Sequence, residues 1–107
     1  MTDESRLTAL KELLAANPDD AFARYALGLE YSGSGDTDAA LAEFQRLLAS
    51  HPDYTNGYFM AAQTLARADR NEEARALLQQ GIESARRTRN QHAQAEMEGM
   101  LDELERA

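Results

Sequence analysis

The sequence predicts an all-α chain, a solenoid of about six helices stacked as antiparallel hairpins. Three observations carry that expectation. Strand formers are scarce: Val is absent and Ile82 is the lone isoleucine, while Ala, Leu, Glu, Arg and Gln, which favour helices, dominate. Breakers joined to N-cap residue types recur at Asn17-Pro18-Asp19, Ser34-Gly35-Asp36-Thr37, His51-Pro52-Asp53, Asp69-Arg70-Asn71 and Thr88-Arg89-Asn90. The punctuation is also periodic. Pro18 and Pro52 stand 34 residues apart, as do Thr37 and Asn71, Ala40 and Ala74, and Phe44 and Leu78.

Each element follows from its own stretch. Residues 3–16 place Leu7, Leu10, Leu13 and Leu14 on one helical face. Residues 20–33 form the next helix, entered through Pro18-Asp19. Residues 37–50 align Leu41, Phe44, Leu47 and Leu48 at helical spacing. A fourth helix spans 54–67, a fifth (71–87) aligns Ala74, Leu77, Leu78 and Ile82, and a sixth spans 91–105. Short connections make consecutive helices antiparallel neighbours. One period therefore holds helix, turn, helix and connector, a unit that cannot bury its apolar face alone. The hairpins must stack.

Composition narrows the function. A chain of 107 residues is expected to be one domain, 1–107. Without Cys it has neither a disulfide framework nor a thiolate metal site, in keeping with a reducing compartment. Met1-Thr2-Asp3-Glu4-Ser5 is acidic where a signal peptide is basic, and no apolar run approaches the roughly 20 residues of a spanning helix. A soluble, cytoplasmic protein is expected. The formal net charge of -8, with Lys11 the only lysine, argues against nucleic acid or an anionic membrane as partner.

The 34-residue unit resembles the tetratricopeptide repeat. From Ala21 to Tyr54 the chain carries Leu27-Gly28, Tyr31, Ala40, Phe44 and Pro52 at that family's spacings, with Arg24 where a bulky aromatic is usual. Thr55 to Thr88 is a weaker copy: Tyr58 takes the aromatic position, Ala61-Ala62 replaces Leu-Gly, and Leu65, Ala74 and Leu78 follow. Arg86 stands in place of the exit proline, so the helix is expected to run on to about Thr88. Residues 3–16 resemble the second helix of a truncated repeat, with Leu10 and Leu13 in core positions. Residues 91–105 resemble a capping helix, because Glu96 and Gly99 fall where an apolar pair belongs.

The resemblance implies a right-handed solenoid whose groove is lined by the first helix of each repeat and takes up a peptide or helix of another protein. The groove positions map onto Phe22, Tyr25, Leu29 and Ser32 in repeat 21–54, and onto Asn56, Phe59, Gln63, Ala66 and Arg67 in repeat 55–88. Aromatic and Arg side chains there are the usual interface anchors. A competing reading packs these aromatics against the first or last helix. Tyr25 and Leu29 replace the Lys and Asn that grip chaperone C-termini, which points instead to an apolar or helical ligand. A scaffold or adaptor is the expected function, with a homodimer formed through the same apolar surface, or the open ends of the stack, as the alternative.

Nothing points to catalysis or a cofactor. His51 and His92 lack the partners of a helical metal site apart from Glu96 after His92, a pairing that chance supplies in a Glu-rich chain. The carboxylates of 96–105 lack EF-hand spacing and read as a solvated face, and Arg86, Arg87 and Arg89 suit a helix C-terminus. No phosphate-binding or nucleophile motif occurs.

Overall fold

A computed structural model describes residues 3–106. Among them every regular element is an α-helix: α1 (Asp3–Ala16), α2 (Ala21–Gly33), α3 (Thr37–Ser50), α4 (Thr55–Arg67), α5 (Asn71–Arg87) and α6 (Gln91–Arg106). The spans agree with the punctuation to within a residue or so. Without an exit proline, α5 runs 17 residues against 14 for α3.

The turns close by one chemistry, used three times. After α2, α4 and α5 the chain steps into the left-handed region at Gly35, Asp69 and Arg89 (φ 83°, 60° and 57°). The next amide then reaches back to the helix: Asp36 to the Tyr31 carbonyl, Arg70 to that of Leu65, and Asn90 to that of Ala85. This double-bonded exit satisfies orphan carbonyls and turns the chain sharply enough to bring the next helix back antiparallel. Asp20, Asp36 and Asn90 accept from the amides of Ala23, Ala39 and Ala93 and so start α2, α3 and α6. α5 starts at the expected residue but without such a bond. Its N-cap is Arg70, with no side-chain cap bond, and Asn71 is already helical.

Consecutive helices pack in chain order, α1 on α2 through to α5 on α6. In addition α2 comes close to α4 and α4 to α6, whereas neither α1 and α3 nor α3 and α5 bring their backbones within 8 Å, Cα to Cα. The even helices therefore form the tighter, inner layer and the odd helices a splayed outer layer. That difference curves the stack toward α2, α4 and α6.

The core lies between the layers. Phe44, Leu65, Leu78 and Met97 are fully buried, with Ala40, Ala61, Ala62 and Ala74 as the small residues that let backbones approach. Gly28 and Gly81 mark the two closest approaches: a Cβ at Gly28 would stand 2.6 Å from Cε1 of Phe44, and one at Gly81 2.5 Å from Sδ of Met97. A smaller cluster of Leu14, Ala23 and Leu27, flanked by Leu7, Leu10 and Tyr31, holds α1 to α2.

Leu13 departs from its expected core position. It is 53% exposed and Leu14 is the buried residue, whereas Leu47, 34 residues on, is 1% exposed. Leu47 is enclosed between helices on both sides, and α1 has a neighbour only in α2. The helical stripe was right, but among the described residues there is no helix to cover that edge of it.

Arg24 shows how the chain tolerates its departure from the usual aromatic. Its Nη2 donates to the Pro18 carbonyl at 3.0 Å and its Nη1 to Glu43 at 2.7 Å. At the matching place 34 residues on, the Tyr58 hydroxyl donates to the Pro52 carbonyl at 2.7 Å. The arginine stem packs where the ring would, and its head makes the same bond to the connecting turn.

Candidate functional site

The inner face is built from α2 and α4, and the structure sorts the nine expected groove residues by how far the fold has already claimed them. Phe22 is free. It is 70% exposed, one of two large exposed apolar side chains among the described residues, the other being Leu13. Asn56 and Arg67 are also exposed. Tyr25, Leu29, Phe59 and Ala66 are half-buried and lean on the main core, and Gln63 is half-buried beside them. These four apolar side chains serve the fold with one flank and leave the other available.

Tyr25 shows the division most clearly. Its ring packs at 6.3 Å from Phe44 and 5.2 Å from Tyr54, both tilted. Its hydroxyl accepts from Nδ2 of Asn56 at 2.6 Å, a bond that ties α2 to α4. Burial, and secondarily Tyr54, pushes the Tyr25 phenol above its ordinary value, while the Asn56 hydrogen bond pulls it down. The ring is thus kept neutral and aligned by its surroundings.

Ser32 lies deeper than expected. It is 9% exposed, and its hydroxyl meets that of Thr64 at 2.7 Å while accepting from Nη2 of Arg67. It belongs to the seam between α2 and α4, where it fixes Arg67. Its repeat position faces inward, but α4 sits so close that the side chain is covered. Thr64 escaped the sequence reading altogether. A facing hydroxyl pair becomes visible only once the register of two helices is known.

The outer layer carries two clefts, which follow from its splay. One lies between α3 and α5 over Tyr58 and Leu65, with a volume of about 440 Å³. The other lies between α1 and α3 over Arg24, Leu27 and Tyr31, with about 350 Å³. Many of their linings correspond at 34-residue spacing: Leu48 to Leu14, Tyr58 to Arg24, Leu77 to Glu43. Glu73 is the one charged residue lining the first, whereas Lys11, Arg24, Glu43 and Arg46 stand among the apolar residues of the second. His92 is exposed, 3.4 Å from Glu96, whereas His51 is half-buried, 4.0 Å from Asp19, with its Nε2 covered and making no hydrogen bond. Arg86 stands 3.6 Å from Glu98 of the last helix, whereas Arg87 turns to Asp53 at 2.7 Å. Among the described residues no cluster of three or more His, Asp or Glu could hold a metal ion. No helix among them is long and apolar enough to cross a membrane.

A curved stack of helical hairpins defines a helical-repeat module. Comparison with known proteins then gives the family. Tetratricopeptide repeat models match residues 31–97 and 1–59. A TPR repeat-containing protein of Pseudomonas aeruginosa is 30% identical over 101 residues, covering 94% of this chain and 96% of that one. A tetratricopeptide repeat domain protein of Salinibacter ruber is 34% identical in its crystal structure, with a TM-score of 0.72, covering 80% of this chain and 96% of that chain. The crystal structure of MamA, at 22% identity and a TM-score of 0.76, covers 82% of this chain and 48% of that chain and shows the same fold. The chain belongs to the tetratricopeptide repeat family, whose members are in general non-catalytic protein-interaction modules.

Proposed function

We propose that this protein is a scaffold or adaptor whose inner face, centred on Phe22, Tyr25, Leu29 and Phe59, takes up an apolar peptide segment or helix of another protein. The observation that carries this reading is Phe22, 70% exposed on the inner layer where the fold makes little use of it. A solvated Phe is costly, at about 1.5–3 kcal/mol of forgone burial, and that is regained only when something covers it. The proposal treats the chain as one domain over 1–107, with repeats at 21–54 and 55–88, flanked by α1 and capped by α6. A cytoplasmic setting and the absence of a reaction belong to the same proposal.

The test compares two baits in extracts of the source cell: the native chain and a Phe22→Ser variant, with Ala49→Ser on the outer face as control. Phe22 is exposed, so its replacement leaves the core intact. Loss of a captured protein with Phe22→Ser alone supports the groove. Identical capture by all three would defeat it.

Self-association has one observation in its favour. Leu13, the other exposed large apolar residue, lies on α1 at the uncovered end of the stack. A concentration-dependent dimer in sedimentation that vanishes with Leu13→Glu would replace the adaptor reading by a dimer through that end.

A further inference from the structure

From the side chains that bridge α2 and α4 we infer that Arg67 is the specificity residue of the groove, and that its ligand is a peptide segment with an apolar anchor and one side-chain carboxylate. The inference rests on the groove reading above and adds the chemistry of the partner.

Arg67 is held by a directed chain of hydrogen bonds. The Thr64 hydroxyl donates to the Met60 carbonyl at 2.7 Å, so its proton is committed there. Ser32 must then donate to Thr64 across their 2.7 Å contact, which leaves a Ser32 lone pair to accept from Arg67. Each bond polarises the next, and the sequence ends on a guanidinium at the inner surface. Ser32 and Thr64 are both buried, so the anchor is built into the seam and does not depend on solvent-exposed partners.

The rest of the guanidinium is unused. Arg67 is exposed, and no described carboxylate lies within ion-pairing distance of it, in a chain of net charge -8. Other arginines are neutralised: Arg24 by Glu43, Arg70 by Asp38 and Glu73, Arg87 by Asp53. Among the described residues Arg46, Arg75 and Arg89 also lack an ion pair, but no side chain fixes any of them, and Arg75 is half-buried on α5 with Nη1 donating to the Leu104 carbonyl at 3.4 Å, away from α2 and α4. A pre-positioned, unneutralised guanidinium beside an apolar strip fits a carboxylate, which it binds by charge-assisted hydrogen bonds.

The spacing specifies the ligand further. Along α4, Phe59 and Arg67 are eight positions apart, about 12 Å at 1.5 Å per residue. An extended peptide spans that distance in about four residues, so Asp or Glu should fall three to four positions from the apolar anchor. The carboxylate is that of a side chain. Capture of a chain terminus uses several convergent donors, and here one guanidinium stands alone.

The probe is a random 12-residue peptide display library, selected on the native chain and on Arg67→Gln and Arg67→Glu variants. Binding of the enriched peptides is then measured by fluorescence anisotropy. Thermal melts establish that the variants remain folded, as the exposure of Arg67 implies. The expected result is enrichment of Asp or Glu at fixed distance from an apolar residue, about tenfold weaker binding to Arg67→Gln, and Lys or Arg selected in their place by Arg67→Glu. Peptides that lose binding with Phe22→Ser, yet carry no acidic preference and bind Arg67→Gln equally, would overturn the role of Arg67 and leave the groove standing. If no enriched peptide depends on Phe22, the groove itself is refuted and this inference falls with it.

Discussion

The close packing of Gly28 on Phe44 makes a quantitative prediction. A Cβ added at Gly28 would lie 2.6 Å from Cε1 of Phe44 and 2.9 Å from Cδ1 and Cζ, against an optimal carbon separation of about 3.5–4.0 Å. Phe44 is fully buried, so its ring cannot swing clear. Overpacking of this kind costs about 1–3 kcal/mol, and the better helix propensity of Ala returns about 1 kcal/mol. With three ring atoms so close the upper end of that range applies, so Gly28→Ala should lose about 2 kcal/mol. The second hairpin indicates the rescue. There Ala62 and Leu78 occupy the places of Gly28 and Phe44, and both are fully buried. Phe44→Leu alone should cost about 1–2 kcal/mol as a cavity. The double variant Gly28→Ala/Phe44→Leu should then be more stable than the sum of its parts, by about 1–2 kcal/mol of coupling. Urea unfolding of the four proteins in the cycle gives the answer as shifts in midpoint at constant slope. Additive effects, or a Gly28→Ala variant more stable than the parent, would refute the packing argument.

Other outcomes follow from the same geometry. Gly99→Ala should stabilise by about 0.5–1 kcal/mol in the same urea assay, because a Cβ there meets nothing within 4 Å and the helix gains propensity. Arg89→Gly should stabilise by about 1 kcal/mol by relieving a left-handed φ of 57° at the α5–α6 turn, as read by the melting temperature. Asp20→Ala should cost about 1 kcal/mol through loss of the cap bond to Ala23, again read in urea. Burial raises the phenols of Tyr25, Tyr54 and Tyr58 above their ordinary value of 10.0. The neutral ring is favoured in the folded state, so this stability is complete below pH 10 and is lost as pH climbs through the folded-state values. The melting temperature should fall as pH rises beyond about 10, and less steeply in Tyr25→Phe than in the parent.

The helices were legible because their signals are local. Pro18 and Pro52, the turn residues and the stripes of Leu and Ala mark ends and faces without reference to distant parts of the chain. The 34-residue spacing then forced stacking, since no single hairpin could bury its face. What escaped depended on neighbours. Leu13 sits on the correct stripe, but its burial requires a helix on its far side, and a stripe carries no record of what covers it. Ser32 faces inward by its position, yet the close approach of α4 turned it into a buried link to Thr64 and Arg67. Arg24 departs from the expected aromatic in type while making the equivalent bond to the turn, an equivalence that only the paired carbonyls of Pro18 and Pro52 reveal.

For the groove, the informative residues were those with divided duties. Tyr25, Leu29 and Phe59 were read as lining a surface, and the competing reading placed the aromatics in the core. The structure half-buries all three against the main core, and of the apolar residues in that strip Phe22 is the one left exposed. Variants at Tyr25 or Phe59 therefore confound binding with stability. Phe22 and Arg67 separate them.

The most direct test is amide chemical-shift mapping of the labelled chain as a peptide enriched by the native protein is added. Shifts concentrated along the inner faces of α2 and α4, around Phe22, Leu29, Asn56 and Arg67, are predicted. Shifts confined to the outer cleft between α3 and α5, or to α1 beside Leu13, would contradict it.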